Sequence, residues 1–362
     1  MSSRILLLVC QDQVREQPRD RVHVRVLRTA DEGDRLRRLA VSRAPDETVA
    51  GPEGEHAEVP DPQPREGDLI VRVRAAGVNR ADLLQRLGRY PPPPGESDII
   101  GLEISGEVEH AAGPYRRGDR VMALLAGGGY AESARVPATQ AMPIPGQLSF
   151  EQAAAIPEAF LTAWLNLATL GALQQGHVVV VHAAASGVGS AALQLCRGIA
   201  GVVLATASPG KLDACRELGA THLLARDEVP KRLAEAVRAA SGGRGADIIF
   251  DIVGGAYLEA NVAALGLHGR LCCISTLAGS KGMLDIGALV MRRLTVLGST
   301  VRSRSAEQKA RLVADFSARA LPRFERGELR AVVSRTYPLA EAARAHEDLE
   351  GDRVVGKIVL IP

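Results

Sequence analysis

Hydrophobic positions along this chain follow two rhythms. Up to about residue 145 the apolar runs are short, alternate with polar residues and are broken by glycine and proline. Asp68-Leu-Ile-Val-Arg-Val-Arg74 alternates with period two, the mark of a strand with two unlike faces. Further strand is predicted over 99–106 and 107–110, interrupted by glycines, and over 118–124 after a tight turn. Residues 79–87 predict a short helix, and Tyr90 is followed by four prolines, Pro91 to Pro94, which predict a stiff extended loop. Short strands and turns at this spacing predict a compact β-rich domain. Upstream, residues 21–27 alternate like a strand in charged surroundings and 39–42 predict a weak one; residues 1–36 are expected to form an extension.

From Phe150 the rhythm changes. Helical periodicity runs over 150–170, and beyond Gly176 strands and helices alternate. Strands are predicted at 178–181, 202–206, 222–224, 247–252, 270–274 and 294–297, with helices at 190–200, 211–218, 231–240, 257–265 and 286–291 between them. Six strands separated by helices predict a parallel, doubly wound α/β sheet. A helix over 307–324, a strand near Tyr337, a helix over 339–349 and a closing strand over 357–361 follow. That tail fits neither a linker nor a seventh strand–helix unit and is expected to return to the first domain. The expected division is therefore an extension over 1–36, a β-rich domain over 37–160 and 302–362, and a doubly wound domain over 161–301.

The chain has 362 residues, enough for two domains with substantial cores. Its 46% hydrophobic and 24% charged residues are those of an ordinary globular protein. The formal net charge is +2 with both signs interspersed, which argues against nucleic acid or an anionic membrane as the main partner. The five cysteines, Cys10, Cys196, Cys215, Cys272 and Cys273, show no zinc spacing and are expected to be small buried hydrophobes in a reducing compartment. The apolar run over 5–10 is too short for a signal core or a membrane span, so a cytoplasmic location is expected.

The stretch from Val178 to Leu195 joins a fully apolar strand, a small-residue turn and an amphipathic helix pattern. Such a unit presents unpaired N–H groups at a helix start, where Ser186, Gly187, Val188 and Gly189 would let phosphate oxygens approach. In the dinucleotide fingerprint of this fold, G-x-G-x-x-G opens the first helix and an acid closes the second strand to hold a ribose hydroxyl. Here the turn reads Ala184-Ala-Ser-Gly-Val-Gly189, and the second strand ends Thr206-Ala-Ser-Pro-Gly-Lys211, with no carboxylate. An acid would repel a 2′-phosphate, whereas Ser208 can donate a hydrogen bond and Lys211 a positive charge, which favours NADPH over NADH. The alternative, a capping serine and a solvated lysine, stays open. Gly254 in Asp251-Ile-Val-Gly-Gly255 and Ser275 in Ile274-Ser-Thr276 end later strands and are expected to border the nicotinamide. His182 is expected to be a packed histidine.

These residues resemble a known family. A β-rich domain, a nucleotide domain with Ala-Ser-Gly-Val-Gly and a tail ending Val355-Gly-Lys-Ile-Val359 resemble the medium-chain dehydrogenase/reductases, which pair a GroES-like β-rich catalytic domain with a Rossmann NADP-binding domain. Gly77-Val-Asn-Arg-Ala-Asp-Leu-Leu-Gln-Arg86, Tyr90-Pro-Pro-Pro, Gly101-Leu-Glu-Ile-Ser-Gly106 and Ala153-Ala-Ala-Ile-Pro-Glu158 resemble the zinc-free NADPH:quinone oxidoreductases, nearest the subgroup of the tumour-suppressor-inducible quinone oxidoreductase. The resemblance covers residue 60 to the end. Zinc-dependent relatives carry Cys at the position of Asn79 and His at that of Leu102, and the structural zinc's cysteine loop is absent, so no metal is expected. The tyrosine that often follows the third strand in the quinone reductases is replaced by Ala225-Arg226, and Arg226 could supply charge in its place.

The resemblance implies direct hydride transfer from NADPH to a quinone or activated enone, with Tyr90 and Asn79 as the polar groups at the acceptor and Lys357 among the cofactor residues. Ser186 would touch the cofactor phosphates or lie near the nicotinamide. It further implies a homodimer joined near 294–299. Two alternatives stand beside this reading: an enoyl-thioester or alkenal reductase on the same scaffold, and an NADPH-binding sensor or structural protein with little turnover.

Overall fold

In the computed structural model the described residues are 4–6 and 56–362, with side chains from residue 59 onward. The strands expected over 21–27 and 39–42 lie outside them. Fifteen strands are present among the described residues: β1 Arg4–Leu6, β2 His56–Glu58, β3 Asp68–Val78, β4 Glu103–His110, β5 Arg120–Leu124, β6 Ser133–Pro137, β7 Ala141–Pro143, β8 Val178–Val181, β9 Val202–Ala207, β10 His222–Ala225, β11 Ala246–Asp251, β12 Leu265–Cys273, β13 Thr295–Gly298, β14 Val333–Pro338 and β15 Lys357–Ile361. β1 and β2 pair antiparallel in a two-stranded sheet of their own.

The chain divides into two compact units. The first holds the described residues up to Glu158 together with Ser305–Glu325 and Val333–Pro362. The second holds Ala159–Arg304 and Arg326–Val332. Residues 326–332, expected with the tail, thus cluster with the second unit.

The first unit is built on a seven-stranded sheet in the order β14-β15-β3-β4-β5-β7, with β6 also on β3. β3 is the organising strand: it pairs antiparallel with β15, β4 and β6 along its length. The alternation read over 68–74 holds only in part, because nine of the eleven β3 residues are buried and Arg72 and Arg74 alone are exposed. Leu69, Val71, Val73, Ile104, Val121, Tyr130, Val136 and Ile358 form its core. Gly106 has to be glycine, since a Cβ there would lie 2.1 Å from the Arg72 carbonyl oxygen.

The second unit is a six-stranded sheet in the order β10-β9-β8-β11-β12-β13, with every pair parallel. Numbered within the unit this is 3-2-1-4-5-6, the dinucleotide-binding arrangement, with the reversal of strand order between β8 and β11. All four valines of β8 are fully buried, as a central parallel strand covered on both faces requires.

Some predicted elements are divided. The stretch 150–170 is a short helix Phe150–Ala154, a second helix Pro157–Trp164 and a π-helical turn Leu165–Leu170. Proline at 157 lacks the N–H needed to continue the first helix, so the second starts there. The helix expected over 307–324 is Ala306–Arg319 followed by Leu321–Glu325, with Pro322 in the first turn of the second piece. The helix expected from Ser190 begins at Gly187 and ends at Cys196, where Arg197 turns to extended backbone.

Candidate functional site

The strand–turn–helix of the second unit is built tightly. β8 runs into His182 and then Ala183, which adopts a left-handed φ of 45°. The Ala184 N–H donates to the Thr206 carbonyl at 2.9 Å, and the Ser186 N–H closes the turn on the Ala183 carbonyl at 2.9 Å. The Ser186 Oγ accepts the Gly189 N–H at 3.1 Å, so Ser186 caps the helix Gly187–Cys196. Gly187 and Val188 open that helix, where N–H groups have no partner within it and an anion is favoured. A Cβ on Gly189 would lie 2.4 Å from the Ala183 carbonyl oxygen and 2.7 Å from the Ala184 Cα. Glycine there lets the helix sit directly against the end of β8.

Ser208, Lys211 and Arg226 stand at two neighbouring strand ends, with Thr206 of the first bonded to the turn through the Ala184 N–H. Ser208 leads into a 3-10 turn Pro209–Lys211 after β9, and the Lys211 N–H returns to the Ser208 carbonyl at 2.9 Å. The Arg226 N–H donates to the Ala207 carbonyl at 2.9 Å, and the Tyr257 hydroxyl donates to the Arg226 carbonyl at 2.7 Å. The residue after β10 is thereby anchored to the last residue of β9. No carboxylate lies between Thr206 and Lys211.

Gly254 and Ser275 are also adjacent. Gly254 has a φ of 91°, and a Cβ there would lie 2.8 Å from the Ser275 carbonyl oxygen and 2.9 Å from that of Gly279. Below them is a buried polar network that sequence reading did not assemble. The Asp251 Oδ1 accepts the N–H groups of Val253 at 2.7 Å and Gly254 at 3.1 Å. Its Oδ2 accepts from the Asn261 Nδ2 at 3.0 Å, the Asn261 Oδ1 faces the His182 Nε2 at 2.7 Å, and the His182 Nδ1 faces the Thr206 Oγ1 at 2.8 Å. His182 is packed as expected, with no exposed surface, yet both ring nitrogens are engaged. Burial holds its pKa below the usual histidine range. The signal available in sequence was positional: His182, Thr206 and Asp251 each stand at or just past the end of a predicted strand.

The first unit places Asn79 and Lys357 in one buried cluster. Asn79 is 8% exposed and caps the helix Arg80–Arg86. Lys357, 5% exposed on β15, donates to the Val78 carbonyl at 2.6 Å and to the Asn79 Oδ1 at 2.5 Å, and pairs with the Glu103 Oε1 at 2.6 Å. An ammonium group has three donors, and all three are taken inside the unit. The Asn79 Nδ2 donates to the Glu103 Oε1 at 2.9 Å, while the Glu103 Oε2 accepts the Glu158 N–H at 2.8 Å. Lys357, expected among the cofactor residues, is thus committed to Glu103 and Asn79, and the Asn79 amide is engaged on both its oxygen and its nitrogen. Tyr90 lies half-buried in the bend after the helix.

Beside this cluster runs a second buried chain. The Asp82 Oδ2 accepts the Asn79 N–H at 2.7 Å and the Tyr130 hydroxyl at 3.1 Å. The Tyr130 oxygen lies 3.0 Å from the His346 Nε2, and the His346 Nδ1 lies 3.5 Å from the Arg86 guanidinium. Arginine only donates, so His346 Nδ1 accepts, Nε2 carries the proton, and Tyr130 donates onward to Asp82. The Asp82 Oδ1 is buried without a partner, and burial pushes the carboxyl pKa up to about 7. Burial also pushes the thiols of Cys215, Cys272 and Cys273 up, to about 11, 12 and 11, which keeps them as thiols.

Among the described residues no group of three or more His, Cys, Asp or Glu is placed to hold a metal ion, and no helix is long and apolar enough to cross a membrane. Residues 65–146 match the alcohol dehydrogenase GroES-like domain, and residues 187–318 match the family described as zinc-binding dehydrogenase. The chain is 32% identical to the human synaptic vesicle membrane protein VAT-1 homolog over 83% of its own length and 80% of that protein's. It is 30% identical to a quinone oxidoreductase of Lama guanicoe over 84% of its length and 92% of that protein's. The structure of mycobacterial Rv1454c complexed with NADPH superposes with a TM-score of 0.76 at 30% identity, covering 85% of this chain and 95% of that one. A GroES-like domain, a parallel sheet in dinucleotide-binding order and relatives matched over most of both lengths lead to one assignment: the chain is an oxidoreductase of the medium-chain dehydrogenase/reductase superfamily, with that superfamily's pyridine-nucleotide-binding fold.

Proposed function

We propose that this chain is an NADPH-dependent reductase that transfers hydride to a quinone or a similarly activated enone without a metal. The observation that carries the reading is the end of β9, where Thr206 to Lys211 holds Ser208 and Lys211 but no carboxylate, with Arg226 joined to it through the Ala207 carbonyl. Two cations and a hydroxyl suit a 2′-phosphate, and a carboxylate in their place would suit a free ribose hydroxyl. The N-terminus of the helix Gly187–Cys196, with Gly187 and Val188 leading, suits the pyrophosphate. The bound nicotinamide supplies the hydride.

The acceptor has to be electrophilic already, because residues 79 and 102 are Asn and Leu and offer no metal-held Lewis acid. A quinone meets that condition. It gains two electrons and one proton with the hydride, and the hydroquinone oxygen takes its second proton from solvent. In this reading Tyr90 and Asn79, whose amide is also held by Lys357 and Glu103, are the polar groups at the acceptor oxygen. We also infer that two copies pair through β13, the edge strand of the nucleotide-binding sheet.

The test is steady-state oxidation of NADPH and NADH with ortho- and para-quinones beside a crotonyl thioester. Turnover with quinones and a preference for NADPH are expected. Lys211→Ala should weaken NADPH binding about tenfold, roughly 1.4 kcal/mol, and leave NADH binding little changed. Turnover with the thioester alone would make the protein a double-bond reductase. Tight NADPH binding with no turnover would make it a sensor or structural protein.

A further inference from the structure

The buried network of the second unit has a direction, and the direction has one source. The Asp251 carboxylate only accepts, so Asn261 must turn its amide nitrogen toward it. The Asn261 oxygen then faces His182, so His182 Nε2 carries the ring proton and its neutral Nδ1 accepts from the Thr206 hydroxyl. Every member is at most 1% exposed. The same carboxylate holds the N–H groups of Val253 and Gly254 on its other oxygen.

The network crosses the sheet at its reversal point. Thr206 is on β9, His182 follows β8, and Asp251 ends β11, so three neighbouring strand ends are joined by side chains. The backbone extends the link to β12. The Ile274 N–H donates to the Asp251 carbonyl at 2.8 Å, the Ala278 N–H to the Val253 carbonyl at 2.8 Å, and the Gly255 N–H to the Gly279 carbonyl at 2.8 Å. In a sheet of this order the adenosine half of a dinucleotide is held by the first three strands, its ribose at the end of the second, and the nicotinamide half falls to the last three. By that division the loops after β11 and β12 fall to the nicotinamide half.

We propose that Asp251, Asn261 and His182 are positioning residues that fix the Val253–Gly254 loop, and through it the Ser275–Gly279 loop, as the seat of the nicotinamide end of the cofactor. The proposal rests on the dinucleotide-reductase reading above. A histidine locked in one tautomer by a carboxylate two residues away in the network cannot rotate without orphaning buried polar atoms. The loop it supports is therefore set before the cofactor arrives, as preorganised sites require.

The experiment separates the two halves of the cofactor. Asn261→Ser removes both amide bonds. His182→Leu removes both ring bonds, and His182→Gln restores a donor toward Asn261. Binding of NADPH is compared with binding of 2′-phospho-ADP-ribose, which lacks the nicotinamide, and kcat is measured with the best quinone. Folding is checked by circular dichroism, and Asn261→Ser serves if His182→Leu does not fold. The expected result is binding of 2′-phospho-ADP-ribose within twofold of the parent, NADPH binding weakened about tenfold, kcat lowered by at least as much, and partial recovery in His182→Gln. Equal losses for the two ligands would overturn the proposal, because the network would then only support the fold. So would folded variants with parental NADPH binding and kcat. If the unmodified protein binds neither NADPH nor NADH, the dinucleotide reading itself fails and takes the proposal with it.

Discussion

At the scale of single residues, Asp82 makes the sharpest demand. One carboxyl oxygen accepts two hydrogen bonds and the other is buried with none. An orphaned protonated oxygen costs far less than an orphaned charge, which is why burial raises the pKa from 3.8 to about 7. The folded state therefore favours the neutral acid. Its contribution to stability is complete below the unfolded pKa and is lost as pH rises toward 7. Asp82→Asn stays neutral throughout, so it should flatten that loss: between pH 5 and 8 the stability of the variant should rise relative to the parent by about 3 kcal/mol. Urea unfolding at the two pH values measures the difference, and identical pH dependence in the two proteins would refute a titrating Asp82. The place of some residues was legible in the sequence: Ser208 and Lys211 stand just past a strand end that can be counted from the turn. Lys357 and Asn79 were not. Their bond joins positions 278 apart, and no local pattern announces a pairing of that reach.

At the scale of elements, the joint between β8 and the helix Gly187–Cys196 has no slack. A methyl group on Gly189 would fall inside the contact distance of backbone atoms that cannot move aside. Gly189→Ala should lower the thermal midpoint by several degrees, consistent with an overpacking cost of about 1–3 kcal/mol, and should weaken cofactor binding as the helix N-terminus shifts. Gly146→Ala meets nothing within 4 Å and is the matched control, expected to leave the midpoint unchanged. Equal midpoints for the two variants would show that the joint yields. The alternation of strands and helices was readable because each β–α unit carries its own hydrophobic period. Where one helix hands over to the next was harder to read. The π-helical turn Leu165–Leu170 keeps an apolar pattern close to that of an α-helix, and what marks it is a backbone bond one residue longer, from the Gly171 N–H to the Asn166 carbonyl at 2.9 Å.

At the scale of the whole molecule, β13 is exposed along one edge. Ile286, Val290 and Met291 on the neighbouring helix are 58%, 66% and 78% exposed. An unpaired apolar strand edge invites a second strand, and pairing two copies of β13 would continue the sheet. Sedimentation is expected to give the mass of two chains, with Val290→Asp combined with Met291→Lys returning it to one; a single-chain mass for the parent would remove the dimer. The existence of two domains could be read from the change of rhythm near Phe150, whereas the assignment of 326–332 to the second unit could not, because that segment carries no period of its own. The sheet of the first unit also orders events in time. β15 lies between β14 and β3, so residues 357–361 must be in place before the strand that begins at Asp68 has its full set of neighbours. The second unit needs nothing beyond residue 332. On a chain emerging from the ribosome, the nucleotide-binding unit can complete its sheet while the first unit still waits for its last strand. The exposed β3 edge is then the surface that nascent-chain chaperones would have to shield until residues 357–361 pair with it.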